Sequence, residues 1–234
     1  ADLFHHSVVE LAGILREQGG SLTVLHGRAV EEIPRLAARL RVGAVYANRD
    51  YEPAAIARDA EVDRRLASAD SCLIDFKDQV IFERDEVMTQ GGTPFSVFTP
   101  YKNAWLKRLS PADLDPLPVE PHAAQLAPPI DGERLPTLAE LGFEATDLPA
   151  LRLPTGMGGA QALFRDFVER IDDYATARDY PAVKGCSYLS PHLRFGTVSI
   201  RQLAAAAHAE SLQANGKGAG TWLNELIWRE FYQM

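Results

Sequence analysis

The 234-residue sequence has only two cysteines, Cys72 and Cys186. They lie far apart and lack metal-ligand spacing, which points to a reduced, cytoplasmic protein rather than a disulfide framework. No apolar run approaches the roughly 18 residues that a membrane-spanning helix needs. The opening residues Ala1, Asp2, Leu3, Phe4, His5 and His6 lack the basic flank and apolar core of a signal peptide. They read as a helix already under way, and so as following an upstream segment. Positive charge is also scarce: 24 Lys and Arg face 32 Asp and Glu, a net charge of -8. That balance argues against a dedicated polyanion binder. No Ser/His/Asp order, zinc spacing or Walker-type loop occurs, the histidines have no partners at ligand spacing, and no internal repeat is visible. Neither a metal site nor a hydrolase triad is expected.

What is present alternates. Leu3, Val8, Leu11 and Leu15 predict a helix over residues 2–19, ended by Gly19 and Gly20. Residues 21–26 read as a strand, 30–40 as a helix and 44–47 as a second strand. Pro53 suits the first turn of a helix reaching about Ala67, and residues 72–76 form a third strand. Helix alternating with strand indicates a parallel sheet covered by helices. Thr99 and Pro100 predict a cap and first position for a helix over 101–109. Residues 110–154 hold nine of the fifteen prolines and read as a linker, hugging a surface through the leucines and Phe143 between Leu135 and Leu151. Beyond Gly158 the signals are helical. Leu163, Phe164, Phe167, Val168, Ile171 and Tyr174 form one stripe, Ser190-Pro191 opens a helix and Ser199 with Gln202 suggests a capping box. Residues 216–220 read as a loop, with Thr221 capping a last helix.

Three segments can carry chemistry. Gly185, Cys186, Ser187, Tyr188, Leu189, Ser190 and Pro191 lead a glycine bend through small hydroxyl residues into a helix start. Such a start suits a phosphate or pyrophosphate; equally, Ser190 serves only as a cap. On the last helix, Glu225, Trp228, Arg229 and Tyr232 share a face beside an apolar one. A ring, a guanidinium and a carboxylate suit a flat polar ligand such as a base, or else an amphipathic helix with an internal ion pair. Tyr174 and Arg178 stand one turn apart, with the cation at a helix C-terminus. Charge is local too. Residues 99–110 carry Lys102, Lys107 and Arg108 with no acid, and residues 171–234 balance six bases against six acids.

Together these segments resemble the photolyase/cryptochrome family. Residues 98–109 look like the end of the antenna domain of bacterial class I cyclobutane pyrimidine dimer photolyases. Residues 178–196 resemble the flavin-phosphate region, and 222–232 the helix that touches both flavin and damaged DNA. The resemblance implies an α/β domain over 1–109, a doubly wound parallel sheet without its first strand. A linker over 110–154 and the start of an all-α FAD-binding domain over 155–234 follow. It implies FAD contacts at Tyr174, Cys186, Ser187, Tyr188, Leu189, Ser190 and Trp222. It implies DNA or lesion contacts at Arg178, Glu225, Trp228 and Arg229. The expected activity is light-driven repair of pyrimidine dimers in DNA by electron donation from reduced FAD, in a monomer. No protein side chain is expected to act as a catalytic group.

Departures from the family pattern matter. Cys186 stands where the family usually has Thr, and a thiol is a poorer donor. Ala54 and Ala55 stand where folate-antenna members carry the Asn and Glu that bind the pterin. The antenna is therefore expected to be a deazaflavin, a second flavin or nothing. The family's first strand, its arginine-rich motif and its later flavin-domain segments are not found in this sequence. Two other expectations stand beside repair: a cryptochrome-type photosensor, and a piece of chain that neither binds nor reacts.

Overall fold

Proline is tolerated at the start of a helix because the N–H it lacks would have no intrahelical acceptor there. Pro53 opens a helix in this way inside the α/β unit, which comprises Leu25–Leu114 and Asn224–Met234. The computed structural model describes residues 1–130, 134–144 and 153–234. The linker residues 131–133 and 145–152, Leu148 and Leu151 among them, lie outside the described residues. The α/β unit contains α2 (Ala29–Leu40), β1 (Ala44–Asn48), α3 (Pro53–Ala67), β2 (Cys72–Phe76), α4 (Phe98–Arg108) and the short α5 (Pro111–Leu114). A first helix, α1, precedes them and belongs to the second unit.

Among the described residues the sheet consists of β1 and β2, parallel, with Ala44 opposite Cys72 and Asn48 opposite Phe76. Helices α2 and α3 cover it through Ala37, Val62 and Leu66, against which Val30, Ile33, Val45 and Leu73 pack. Pro34 inside α2 would orphan the Val30 carbonyl; Arg65 of α3 supplies the missing donor at 3.0 Å. Asp63 of α3 accepts the Leu73 N–H at 2.9 Å, which occupies an amide of β2.

The second unit comprises Ala1–Val24 and Asp115–Leu223. It holds α1 (Asp2–Glu17), α6 (Gly156–Val168), α7 (Tyr174–Ala177), α8 (Ser190–Phe195) and α9 (Ile200–Ser211). α10 (Lys217–Phe231) begins in this unit and finishes in the α/β unit. Glu10 of α1 caps α6, accepting the N–H groups of Met157 at 2.7 Å and Gly158 at 2.9 Å. Phe167, Ile171, Leu203, Ala204 and Ala207 are buried in its core.

Several boundaries differ from expectation. Residues 21–26 form no strand. Ser21 instead bonds the carbonyls of Ala127 and Pro128, and the chain crosses between units after Val24. α4 starts at Phe98 with Val97 as its N-cap, so Pro100 takes the third position, whose N–H is an orphan as well. The stripe ending at Tyr174 is broken: α6 stops at Val168 and a 3₁₀ turn covers Ile171–Asp173. Ser199 occupies its N-cap position without a side-chain cap bond. α10 begins at Lys217, and Thr221 bonds back to the Lys217 carbonyl at 2.9 Å rather than capping.

Candidate functional site

In the helical unit, Gly185 lets the loop before α8 meet the end of α7 backbone to backbone. A Cβ there would lie 2.4 Å from the carbonyl carbon and oxygen of Ala177 and 2.8 Å from the Arg178 nitrogen. An ionic clamp holds the same loop. Arg170 donates to the carbonyls of Lys184 and of Cys186, the latter at 2.8 Å, and pairs with Asp166. Lys184 also pairs with Asp166 at 2.7 Å. The two cations hold the Asp166 carboxyl below the usual carboxylate range. Tyr188 is in the left-handed region at φ 58° and half exposed, while its neighbour Leu189 is fully buried. Cys186 and Ser190 are exposed, and Ser187 accepts only a long 3.5 Å bond from the Leu189 N–H. The segment is a clamped loop presenting a thiol and two hydroxyls. His192, in the first turn of α8, is buried and bonded to Thr197 at 2.7 Å; burial lowers its pKa.

Tyr174 and Trp222 meet around one ring. Phe167 lies edge-on to Tyr174 at 5.6 Å and tilted against Trp222 at 4.7 Å. Arg178 sits over the Tyr174 ring at 5.3 Å. The first turn of α10 reaches this cluster only because Gly218 has no side chain. A Cβ there would fall 2.0 Å from the Ile171 carbonyl oxygen.

In the α/β unit, the tail of α10 carries Glu225, Trp228 and Arg229. Trp228 stacks on Phe98 with ring centroids 3.7 Å apart and planes 9° apart, so one face of the indole is covered. Tyr232, largely exposed, stacks on it at 5.4 Å. Arg229 donates to the Gln79 carbonyl at 2.6 Å. Glu225 is half-buried.

Sequence reasoning missed Glu230, the neighbour of these residues. It is 2% exposed and accepts the N–H groups of Ile81 at 2.7 Å and Phe82 at 2.9 Å, the indole N–H of Trp105 and, at 3.5 Å, the Tyr101 hydroxyl. Burial pushes its carboxyl up to about 7, against the donors, which pull it down. A Glu within an otherwise aromatic helix end was the available signal.

A cleft of about 320 Å³ also opens beyond the carboxyl ends of β1 and β2, lined by Arg49, Asp50, Asp59, Asp63, Asp75 and Arg84 among others. Arg49 pairs with Asp75 at 2.7 Å and with Glu83, which also accepts the Tyr51 hydroxyl at 2.7 Å. Both acids raise the arginine's pKa. Among the described residues no helix is long and apolar enough to cross a membrane, and no cluster of three or more His, Cys, Asp or Glu is placed to hold a metal ion.

The chain thus joins a parallel α/β unit to a helical unit that carries a clamped hydroxyl loop and an aromatic cluster. The sequence profile of the DNA photolyase family matches residues 1–122. The chain belongs to that family. It is 34% identical over 249 residues to a deoxyribodipyrimidine photo-lyase of Synechococcus sp. PCC 6301, covering all of this chain and 51% of that protein. It is 37% identical over 207 residues to the Escherichia coli K12 deoxyribodipyrimidine photo-lyase, covering 88% and 42%. The chain thus spans about half the length of these curated relatives. The crystal structure of a class III photolyase from Agrobacterium tumefaciens superposes with a TM-score of 0.80 at 26% identity, over 98% of this chain and 48% of that one. A Synechocystis cryptochrome shares the fold, with a TM-score of 0.78 at 19% identity.

Proposed function

We propose that the whole protein to which this chain belongs repairs cyclobutane pyrimidine dimers in DNA with light, using FAD, in the cytoplasm. On this reading residues 1–109 form the antenna-type domain, 110–154 the linker and 155–234 the first part of the flavin-binding domain. The observation that carries it is the pairing of two constellations. One is the clamped loop 185–190 beside the Tyr174–Phe167–Trp222 cluster; the other is the α10 tail with Trp228 and Arg229.

The donor set fits FAD. Ser187, Ser190 and the backbone of residues 186–190 would hold the phosphates, and Tyr174 and Trp222 would lie against the flavin. When bound, FAD supplies the light-driven electron donation. The protein's own residues do the positioning. The Arg170–Asp166–Lys184 clamp holds the phosphate loop, Arg178 contacts the DNA backbone, and Glu225, Trp228 and Arg229 receive the flipped-out dimer. The second chromophore is a deazaflavin, another flavin or none, because Ala54 and Ala55 offer a pterin no side-chain partner.

DNA binding by the full-length protein tests the reading. Trp228→Ala should weaken binding to dimer-containing DNA by about 5- to 150-fold, the worth of one stacked base, and leave undamaged DNA nearly untouched. Arg178→Ala should weaken both and lower the salt slope by about 1, as a lost phosphate contact does. Equal losses on both DNAs for Trp228→Ala would favour a photosensor that does not repair.

A further inference from the structure

We propose that Glu230 is a positioning residue for the DNA-facing end of α10, fixing the turn that presents Trp228 and Arg229; this rests on the reading of Trp228 as the base-stacking side chain. Two neighbouring segments read that turn at once. Residues 79–82 offer the Gln79 carbonyl to Arg229 and the Ile81 and Phe82 amides to Glu230. Two successive amides thus converge on one carboxylate. α4 offers a single stripe at i, i+3 and i+7: the Phe98 ring stacks on Trp228, and the Tyr101 hydroxyl and Trp105 indole N–H reach Glu230. Tyr101 and Trp105 are themselves fully buried, so this stripe is a fixed surface.

The arrangement admits one register. Successive residues of a helix are turned by about 100°, so slipping α10 by one position would remove the carboxylate from its donors. It would also take Trp228 off Phe98. The buried amides of Ile81 and Phe82 would then lack this acceptor in a site closed to water. Glu230 therefore acts on DNA only through its neighbours: its side chain faces the protein interior, whereas Trp228 keeps part of its surface exposed. Burial resists the ionised form of Glu230, so the carboxylate is retained against a standing desolvation cost, and an apolar residue would serve mere packing better.

The test compares E230Q, W228A and the double variant in the full-length protein. The readout is the ratio of dissociation constants for undamaged and dimer-containing duplexes. Each single variant should lower that ratio about tenfold, and the double should fall no lower than W228A alone, since both act through one ring. A role confined to folding would leave the ratio of the folded fraction unchanged. An unchanged ratio in E230Q, with the ratio lost in W228A, overturns the positioning role and leaves the repair reading intact. An unchanged ratio in W228A overturns the stacking role of Trp228 and the inference with it. Where E230Q does not fold, W105F keeps a six-membered ring in place and loses the N–H donor together with the fused five-membered ring; a smaller drop in the same direction is expected, and no drop overturns the proposal.

Discussion

Replacing Gly185 with alanine should disturb the clamped loop more than its size suggests. The added Cβ would lie 2.4 Å from the Ala177 carbonyl, where ordinary contact begins at 3.4 Å. Both sides of the contact are backbone, so no side chain can swing away. The loop must retreat by roughly 1 Å, which costs about 1–3 kcal/mol as overpacking. Retreat also stretches the 2.8 Å bond from Arg170 to the Cys186 carbonyl beyond hydrogen-bonding range, adding about 1 kcal/mol. Gly185→Ala should thus destabilise the protein by about 2–4 kcal/mol. It should also displace Ser187 and Ser190, lowering the flavin-to-protein absorbance ratio of the purified full-length protein. Gly13 supplies the control. It lies inside α1 with no atom within 4 Å of a new Cβ, so Gly13→Ala should stabilise by up to about 1 kcal/mol. Urea titration followed by circular dichroism reads both. If Gly185→Ala unfolds at the wild-type midpoint with its full complement of flavin, the close approach does not set the loop.

Glu230 should leave a pH signature. Its carboxyl titrates near 7 when folded, above its ordinary value of 4.5, so between those limits the native state binds the extra proton. The contribution is fully present below pH 4.5 and is lost as pH rises to 7, by about 3 kcal/mol. Urea unfolding from pH 5 to 8 should show this slope in the wild type and not in E230Q; parallel slopes would refute it. Chromophores extracted from fresh full-length protein and identified by mass should contain no stoichiometric methenyltetrahydrofolate. A pterin set against Ala54 and Ala55 would leave polar groups unpaired at about 1–3 kcal/mol each.

The sequence was most legible where a local rule had no competitor. Pro53 set the start of α3, and β-branched and aromatic residues between turn signals set β2 at Cys72–Phe76. It misled where tertiary packing chose the residue. Gly216, Gly218 and Gly220 read as a loop because glycine disfavours helices. Gly216 and Gly218 are in fact required by backbone approaching from Ser211 and Ile171, and α10 runs through the last two. Residues 21–26 have a strand's alternation, yet a strand exists only beside another strand, and among the described residues the sheet is made of β1 and β2. The loop 185–190 was found from its small residues. Its clamp was not, because Asp166 and Arg170 lie in a helix end whose charges look solvated in sequence. Glu230 was hidden for a related reason: an acid on an amphipathic helix reads as surface until its four donors are seen.

Glu230 also sets a schedule for synthesis. It lies 148 residues after Phe82, whose amide it accepts. At about 5–20 residues per second, a ribosome needs roughly 7–30 s to travel between them. For that interval α2, α3 and the two strands can assemble, but the amides of Ile81 and Phe82 and the indole of Trp105 wait without the acceptor they keep in the finished protein. The nascent α/β unit is therefore an unfinished object with an aromatic, donor-rich seam. Its closure is a late event, timed by translation of the helix that also carries Trp228.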